Sequence, residues 1–136
     1  MAEYVPTDRE LEALKVLWRR GPSTVREIYR EIGREGPELA YTTVLSLLQT
    51  MEQKGLVGHR RSGRAYNYSA KVQREPTFRS LAEGFLEKVF DGALDQYVVH
   101  ALQARRPDPD ELDRLQKVIA EAKRHSQRRE KKETQP

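Results

Sequence analysis

Ala40-Tyr41-Thr42-Thr43-Val44-Leu45-Ser46-Leu47-Leu48-Gln49-Thr50-Met51-Glu52-Gln53-Lys54-Gly55 runs directly into Leu56-Val57-Gly58-His59-Arg60-Arg61-Ser62-Gly63-Arg64-Ala65-Tyr66-Asn67-Tyr68-Ser69, and the change of period between the halves decides the fold. In the first half Val44, Leu47, Leu48 and Met51 fall at i, i+3, i+4 and i+7, which predicts a helix from about Ala40 or Tyr41 to Lys54 with one buried stripe. Gly55 follows where a helix end favours a left-handed residue. In the second half the aromatics alternate instead, and Ser62-Gly63 supplies a tight turn, which predicts a β-hairpin with an arginine-rich tip.

Upstream lie two further helices. Thr7 with Glu10, and Thr24 with Glu27, each have the spacing of a capping box, in which hydroxyl and carboxyl satisfy exposed helix N–H groups reciprocally. Leu11, Leu14, Leu17 and Trp18 give the first helix its apolar stripe, and Gly21-Pro22 ends it. Val25, Ile28 and Ile32 give the second its buried face, with Gly33 to Pro37 expected to break it. Three helices followed by a hairpin is the order of a winged helix-turn-helix, in which the third helix enters the DNA major groove.

Downstream the chain turns helical again from about Lys71. Phe78, Leu81, Phe85, Leu86, Val89 and Phe90 form one stripe, closed by Asp91-Gly92. Leu94, Tyr97, Val98, Ala101 and Leu102 form a second, ended by Arg105-Arg106-Pro107. The last helix opens with Asp108 as N-cap, Pro109 in the first turn and Glu111 at the third position, and its face is Leu112, Leu115, Val118 and Ile119. These stripes are large for so short a segment to enclose alone, which predicts two-fold pairing. Phe78, Leu81, Phe85, Leu86, Val89, Phe90, Leu94, Tyr97, Val98, Leu102, Leu115 and Ile119 are the expected dimerisation residues. The expected fold is thus mainly α with a small β-hairpin. A winged helix-turn-helix domain spans 1–70, a helical dimerisation domain 71–127, and a polar tail, 128–136, is expected to fray.

Composition narrows the function classes. The 136 residues hold 25 Lys and Arg against 21 Asp and Glu, a net charge of +4, so the placement of charge matters more than its total. Cysteine is absent, which excludes disulfides and thiolate sites. The N-terminus has no signal-peptide pattern and no apolar run could cross a bilayer, so a cytoplasmic protein without a membrane partner is expected. His59, His100 and His125 are scattered without ligand spacing, and no phosphate loop, nucleophile elbow or HExxH pattern occurs. Asp108, Asp110, Glu111 and Asp113 complement the dipole of the last helix and need no metal. No enzyme activity, cofactor or metal is expected.

The polar face of the third helix carries the functional reading. Thr42, Thr43, Ser46, Gln49, Thr50 and Gln53 are short, uncharged groups that both donate and accept, suited to base edges and phosphates. An ordinary solvated face would favour Lys, Glu and Arg, which are better helix formers than Thr and Ser. Leu45 leans toward this face, and packing on the second helix or hairpin stands level with contact to a thymine methyl group. Arg60, Arg61 and Arg64, beside His59, bring cations without an acid to the hairpin tip. Edge protection needs fewer charges, so a grip on phosphates or on a narrow minor groove is favoured.

Ala40-Tyr41-Thr42-Thr43-Val44, Lys54-Gly55-Leu56-Val57 and Arg61-Ser62-Gly63-Arg64-Ala65-Tyr66-Asn67-Tyr68 resemble the BlaI/MecI family of penicillinase and methicillin-resistance repressors. Glu10 to Trp18, Gly21 to Tyr29 and Val89-Phe90-Asp91-Gly92 resemble it too, and the likeness covers residues 7 to 122. It implies a homodimeric transcriptional repressor with a winged-helix head and a helical dimerisation tail, seated on the double-stranded DNA of a palindromic operator. A sensor or protease that inactivates the repressor is the further partner it implies, acting at an Asn-Phe bond. The matching stretch here reads Val98-Val99-His100-Ala101-Leu102, so the resemblance does not extend to that bond. Copper-responsive relatives carry a C-terminal cysteine cluster, and a cysteine-free chain excludes copper sensing of that kind.

Two other readings are compatible with parts of the pattern. A non-specific architectural DNA binder would lose affinity steeply with salt and show little sequence preference. A winged-helix protein-interaction module would bind no DNA, and the arginine wing beside an acid-poor helix face argues against it.

Overall fold

The computed structural model describes residues 5–36 and 38–134. What the sequence leads one to expect of Met1–Tyr4, of Pro37 and of the last two residues of the polar tail lies outside the described residues. The chain divides into two compact units, Met1–Phe85 and Leu86–Pro136.

In the first unit, α1 (Asp8–Arg20) and α2 (Val25–Glu35) both begin with the complete capping boxes, Thr7 with Glu10 and Thr24 with Glu27. Helix α1 ends at Gly21, whose φ of 85° admits glycine readily. Helix α2 ends at Glu35 with Gly36 as its C-cap, inside the Gly33 to Pro37 stretch expected to break it, and Gly33 itself stays helical because one glycine only weakens a helix. Helix α3 (Tyr41–Gln53) buries Val44, Leu48 and Met51.

Strands β2 (Val57–Ser62) and β3 (Ala65–Ala70) pair antiparallel, Val57 opposite Ala70 and Ser62 opposite Ala65. The two-residue connection is therefore Gly63-Arg64, one residue beyond the expected Ser62-Gly63 turn. Gly63 takes φ 64° at its first position, as glycine permits in a hairpin turn. A third strand was not expected. Ser23-Thr24, labelled β1, pairs with Tyr68 and Asn67, giving the sheet order β1-β3-β2. Two residues are too few to show alternation, and Thr24 also serves as the cap of α2.

Leu14, Ile28, Leu48, Met51 and Leu56 centre the core, each fully buried and worth about 1.5–3 kcal/mol relative to exposure. Tyr68 from β3 joins them. The loop after β3 is tied down by the Trp18 indole, which donates to the Val72 carbonyl at 2.9 Å, and by a Lys71 N–H to Leu56 carbonyl bond of 2.9 Å. Helix α4 (Arg74–Phe90) begins within this unit, where Phe78 meets the Trp18 ring edge-on at 5.7 Å.

The second unit holds the end of α4, then α5 (Leu94–Ala104) and α6 (Pro109–Thr134). Asp91 and Gly92, with φ 50° and 83°, turn the chain between α4 and α5. Phe90 packs against Tyr97 and His100 at ring separations of 5.4 and 5.5 Å. Asp108 caps α6, accepting from the Glu111 N–H at 2.9 Å. The segment from Arg128, expected to fray, is helical through Thr134. Arg, Gln, Lys and Glu are all strong helix formers, and polarity alone does not unwind them. None of this unit's described residues is buried. No helix of the described residues is long and apolar enough to cross a membrane.

Candidate nucleic-acid interface

Helix α3 presents Thr42, Thr43, Ser46, Gln49 and Thr50 to solvent while Val44, Leu48 and Met51 anchor its other side. Its C-terminal end is fixed from outside. Lys54, the C-cap, pairs through Nζ with Glu10 Oε2 at 2.8 Å, and Glu10 is only 2% exposed. Burial pushes the Glu10 carboxyl up, but the Lys54 hydrogen bond, the Thr7 N–H and the Lys54 charge together hold it below the ordinary value. A charged Glu10 thus fastens α3 to the first turn of α1.

The only acid of α3, Glu52, faces the hairpin. His59 Nδ1 lies 2.8 Å from Glu52 Oε2 and also contacts Oε1. The His59 ring is held between Tyr66 and Tyr68, at 4.9 and 5.4 Å. Burial, then Glu52 and Tyr66, push the Tyr68 hydroxyl above its ordinary value, so it stays protonated. The bridge sets the hairpin against the recognition-helix candidate and turns the one carboxylate of α3 onto a partner.

Between α3 and the hairpin lies an open concavity of about 720 Å³, lined by Leu45 and Gln49 from α3, Arg64 and Tyr66 from the hairpin, and Arg26 and Tyr41. Leu45 is half-buried and packed against the core, yet also lines this concavity, so the structure gives it both surroundings. Arg60, Arg61 and Arg64 are all exposed, and Arg61 Nε donates to the Gly63 carbonyl at 3.3 Å across its own turn. The structure therefore brings Leu45, Gln49 and Arg64 together around one concavity, whereas Thr42, Thr43, Ser46, Thr50, Arg60 and Arg61 are exposed outside its lining.

Sequence reasoning missed Arg26 and Tyr41. Arg26 lies over the Tyr41 ring at 5.9 Å, and Tyr29 meets the same ring edge-on at 5.7 Å. Arg26 stands two residues after the Thr24 cap, and the two-residue strand β1 carries α2 to the edge of the concavity. Only the unexpected β1–β3 pairing reveals that placement. Cations on two sides of an uncharged polar helix face form a surface that a duplex with phosphates flanking base edges would complement.

The expected dimerisation residues divide. Phe78 lies against Trp18 in the first unit and Leu81 is half-buried there. Leu86, Phe90 and Tyr97 are half-buried, whereas Phe85, Val89, Leu94, Val98, Leu102, Leu115 and Ile119 are exposed, Leu94 by 61%. No group of three or more His, Cys, Asp or Glu among the described residues could hold a metal ion.

Comparison with known proteins adds independent findings. The profile of the family described as Penicillinase repressor matches residues 6–121. The "Transcriptional regulator BlaI" of Mycobacterium tuberculosis is 33% identical over 116 residues, spanning 84% of this chain and 82% of that protein. The "Penicillinase repressor" of Bacillus licheniformis is 23% identical over 117 residues, 86% of this chain and 91% of that one. A solution structure of the monomeric Bacillus licheniformis BlaI with the blaP half-operator is 24% identical, with a TM-score of 0.47 over 56% of this chain and 93% of that chain.

Proposed function

We propose that this chain, which belongs to the penicillinase repressor family and is a DNA-binding transcriptional repressor rather than an enzyme, works as a homodimer on a palindromic operator. Helix α3 reads bases through Thr42, Thr43, Ser46, Gln49 and Thr50, with Leu45 beside a thymine methyl group. Arg60, Arg61 and Arg64 hold phosphates or the minor groove, and Arg26 with Tyr41 extends that grip on the other side of α3. The protein acts in the cytoplasm, where its DNA lies.

One observation supports the dimer above all. The second unit has no buried residue among those described, while Leu94, Val98, Leu102, Leu112, Leu115, Val118 and Ile119 all stand exposed. Helices with uncovered apolar stripes of this extent are stable when another surface encloses them, and a second copy is the usual solution. Two joined heads then make the second half-site contact effectively intramolecular.

Sedimentation of the full chain beside Val98→Asp and Leu102→Asp tests this. The unaltered chain should sediment as a dimer, and each charge should shift it toward monomer. Once occupied promoters are mapped by genome-wide footprinting, the same variants should bind a full palindrome about 10²–10⁴-fold more weakly but a half-site equally well. A monomeric full chain, or unchanged binding to the palindrome, would refute the proposal.

A further inference from the structure

The net charge of this protein is confined to its end. Of the 25 Lys and Arg, six lie in residues 122–136, and of the 21 Asp and Glu, two lie there. Residues 1–121 therefore hold nineteen of each and are neutral, and the whole excess of +4 belongs to the last fifteen residues. The match to the repressor family stops at residue 121, just where this excess begins. The segment is not an unstructured run of charge. It continues α6 through Thr134, and the helix is about 39 Å long from Pro109.

The helical period gathers four of these six cations, Arg124, Arg128, Lys131 and Lys132, toward one face, with Lys123 and Arg129 off it. Arg114, Lys117, Arg124, Arg128 and Lys131 follow at spacings of three, seven, four and three, which keeps them on one face, with Glu121 the one acid among them. The opposite face holds Leu112, Leu115, Ile119 and Ala122. Beyond Ala122 that side turns polar, with Ser126, Arg129 and Glu130. Residues 108–132 are exposed throughout. Like charges at i, i+3 and i, i+4, such as Arg124, Arg128 and Lys131, repel along the helix, and a polyanion laid against them relieves that repulsion.

We propose that residues 123–132 of α6 form a second, sequence-independent contact surface for the phosphate backbone of duplex DNA. The proposal rests on the chain's being a DNA-binding repressor and adds to it a surface outside the part shared with the family. A basic helix that lies on a membrane needs an apolar face along the same turns to enter the lipid. From Lys123 to Lys132 there is none, so the chemistry fits phosphates presented by a stiff polymer. The arm raises local DNA affinity without adding base preference, because phosphates carry no sequence information directly.

The test uses the full chain and a random-sequence 40-base-pair duplex, with binding followed by fluorescence anisotropy across a salt series. One variant replaces Lys123, Arg124, Arg128, Arg129, Lys131 and Lys132 with Gln, which preserves helix propensity, as circular dichroism checks. Its log–log salt slope should be shallower by about 3 and its affinity at low salt at least about tenfold weaker, each lost phosphate contact contributing about 0.9 to the slope. Arg124→Lys with Arg128→Lys and Arg129→Lys, which keeps the charge, should retain the slope. Arg60→Ala with Arg61→Ala and Arg64→Ala serves as the parallel wing variant. A wing variant that loses slope beside an arm variant that does not overturns the arm proposal and leaves the repressor reading intact. An unaltered chain that fails to bind the duplex overturns the repressor reading itself. If the Gln variant loses only binding to phosphatidylserine vesicles, the arm is a membrane contact and the DNA assignment is wrong.

Discussion

Replacing Glu10 with Ala should destabilise the first unit by about 2–3 kcal/mol, more than any solvent-facing substitution in it. Two interactions are lost together. The carboxylate accepts the Thr7 N–H at 2.8 Å and completes the α1 capping box, worth about 1 kcal/mol. It also pairs with Lys54 at 2.8 Å. Removing one partner of a fully buried pair costs about 3–5 kcal/mol, but Lys54 is 29% exposed and can turn to water, so about 1–2 kcal/mol is the fitting share. Trp18 is the only tryptophan of the chain, so its fluorescence in urea reports this unit's unfolding. A thermal scan should show a fall of roughly 10–20 °C for a domain of this size. Glu10→Gln can still close the box and should lose only the ion-pair share. The pH dependence has a definite sign. The folded Glu10 carboxyl lies below the ordinary value of 4.5, so the stabilisation is complete above 4.5 and is lost as pH falls through the lowered folded value. The gap between wild type and Glu10→Ala should therefore be constant near neutrality and narrow only below pH 4.5. A cost under about 0.5 kcal/mol at pH 7 would refute the reasoning.

Three further outcomes follow from the same geometry. Gly63→Ala forces a side chain into φ 64° at the hairpin turn and should cost about 1 kcal/mol, read by Trp18 fluorescence in urea; an unchanged midpoint would mean that the turn relaxes freely. Alanine at Arg60, Arg61 or Arg64 should weaken binding to all duplexes alike and lower the salt slope by about 0.9 each; a changed base preference at constant slope would assign that arginine to readout. Alanine at Thr43 or Ser46 should narrow the gap between operator and random DNA while non-specific binding stays level, and a uniform loss would make them positioning contacts.

The parts of the fold written in local chemistry were legible in the sequence. Capping boxes at Thr7 and Thr24, the stripe from Val44 to Met51 and the alternating Tyr66 and Tyr68 each need only near neighbours to act. What escaped depends on distant partners. Strand β1 exists because β3 has a free edge to offer Ser23 and Thr24, and two residues carry no period of their own. Periodicity assigned Phe78 to a stripe but could not name what the stripe meets, and at Phe78 it meets Trp18. On the candidate interface the α3 face and hairpin arginines were readable from composition. The Glu52–His59 bridge and the Arg26–Tyr41 contact required three-dimensional proximity.

The two units differ in how completely each satisfies itself, and this bears on how the repressor can be switched. The first unit has an enclosed core, and no buried side-chain polar atom among the described residues lacks a partner. The second has exposed apolar stripes and no buried residue among those described. If the stripes of two chains enclose each other, the heads stay folded whether or not the tails are paired. Inactivation then requires only that the pairing be lost, since two separate heads bind a palindrome about 10²–10⁴-fold more weakly than two joined ones. Cleavage at one particular peptide bond is not needed for that. A ligand, a partner protein or a cut anywhere between Leu94 and Ile119 would release the operator by the same arithmetic. Under the proposed dimer, the His100-Ala101 sequence, where the family resemblance implies an Asn-Phe bond, is therefore compatible with a repressor switched by loss of pairing.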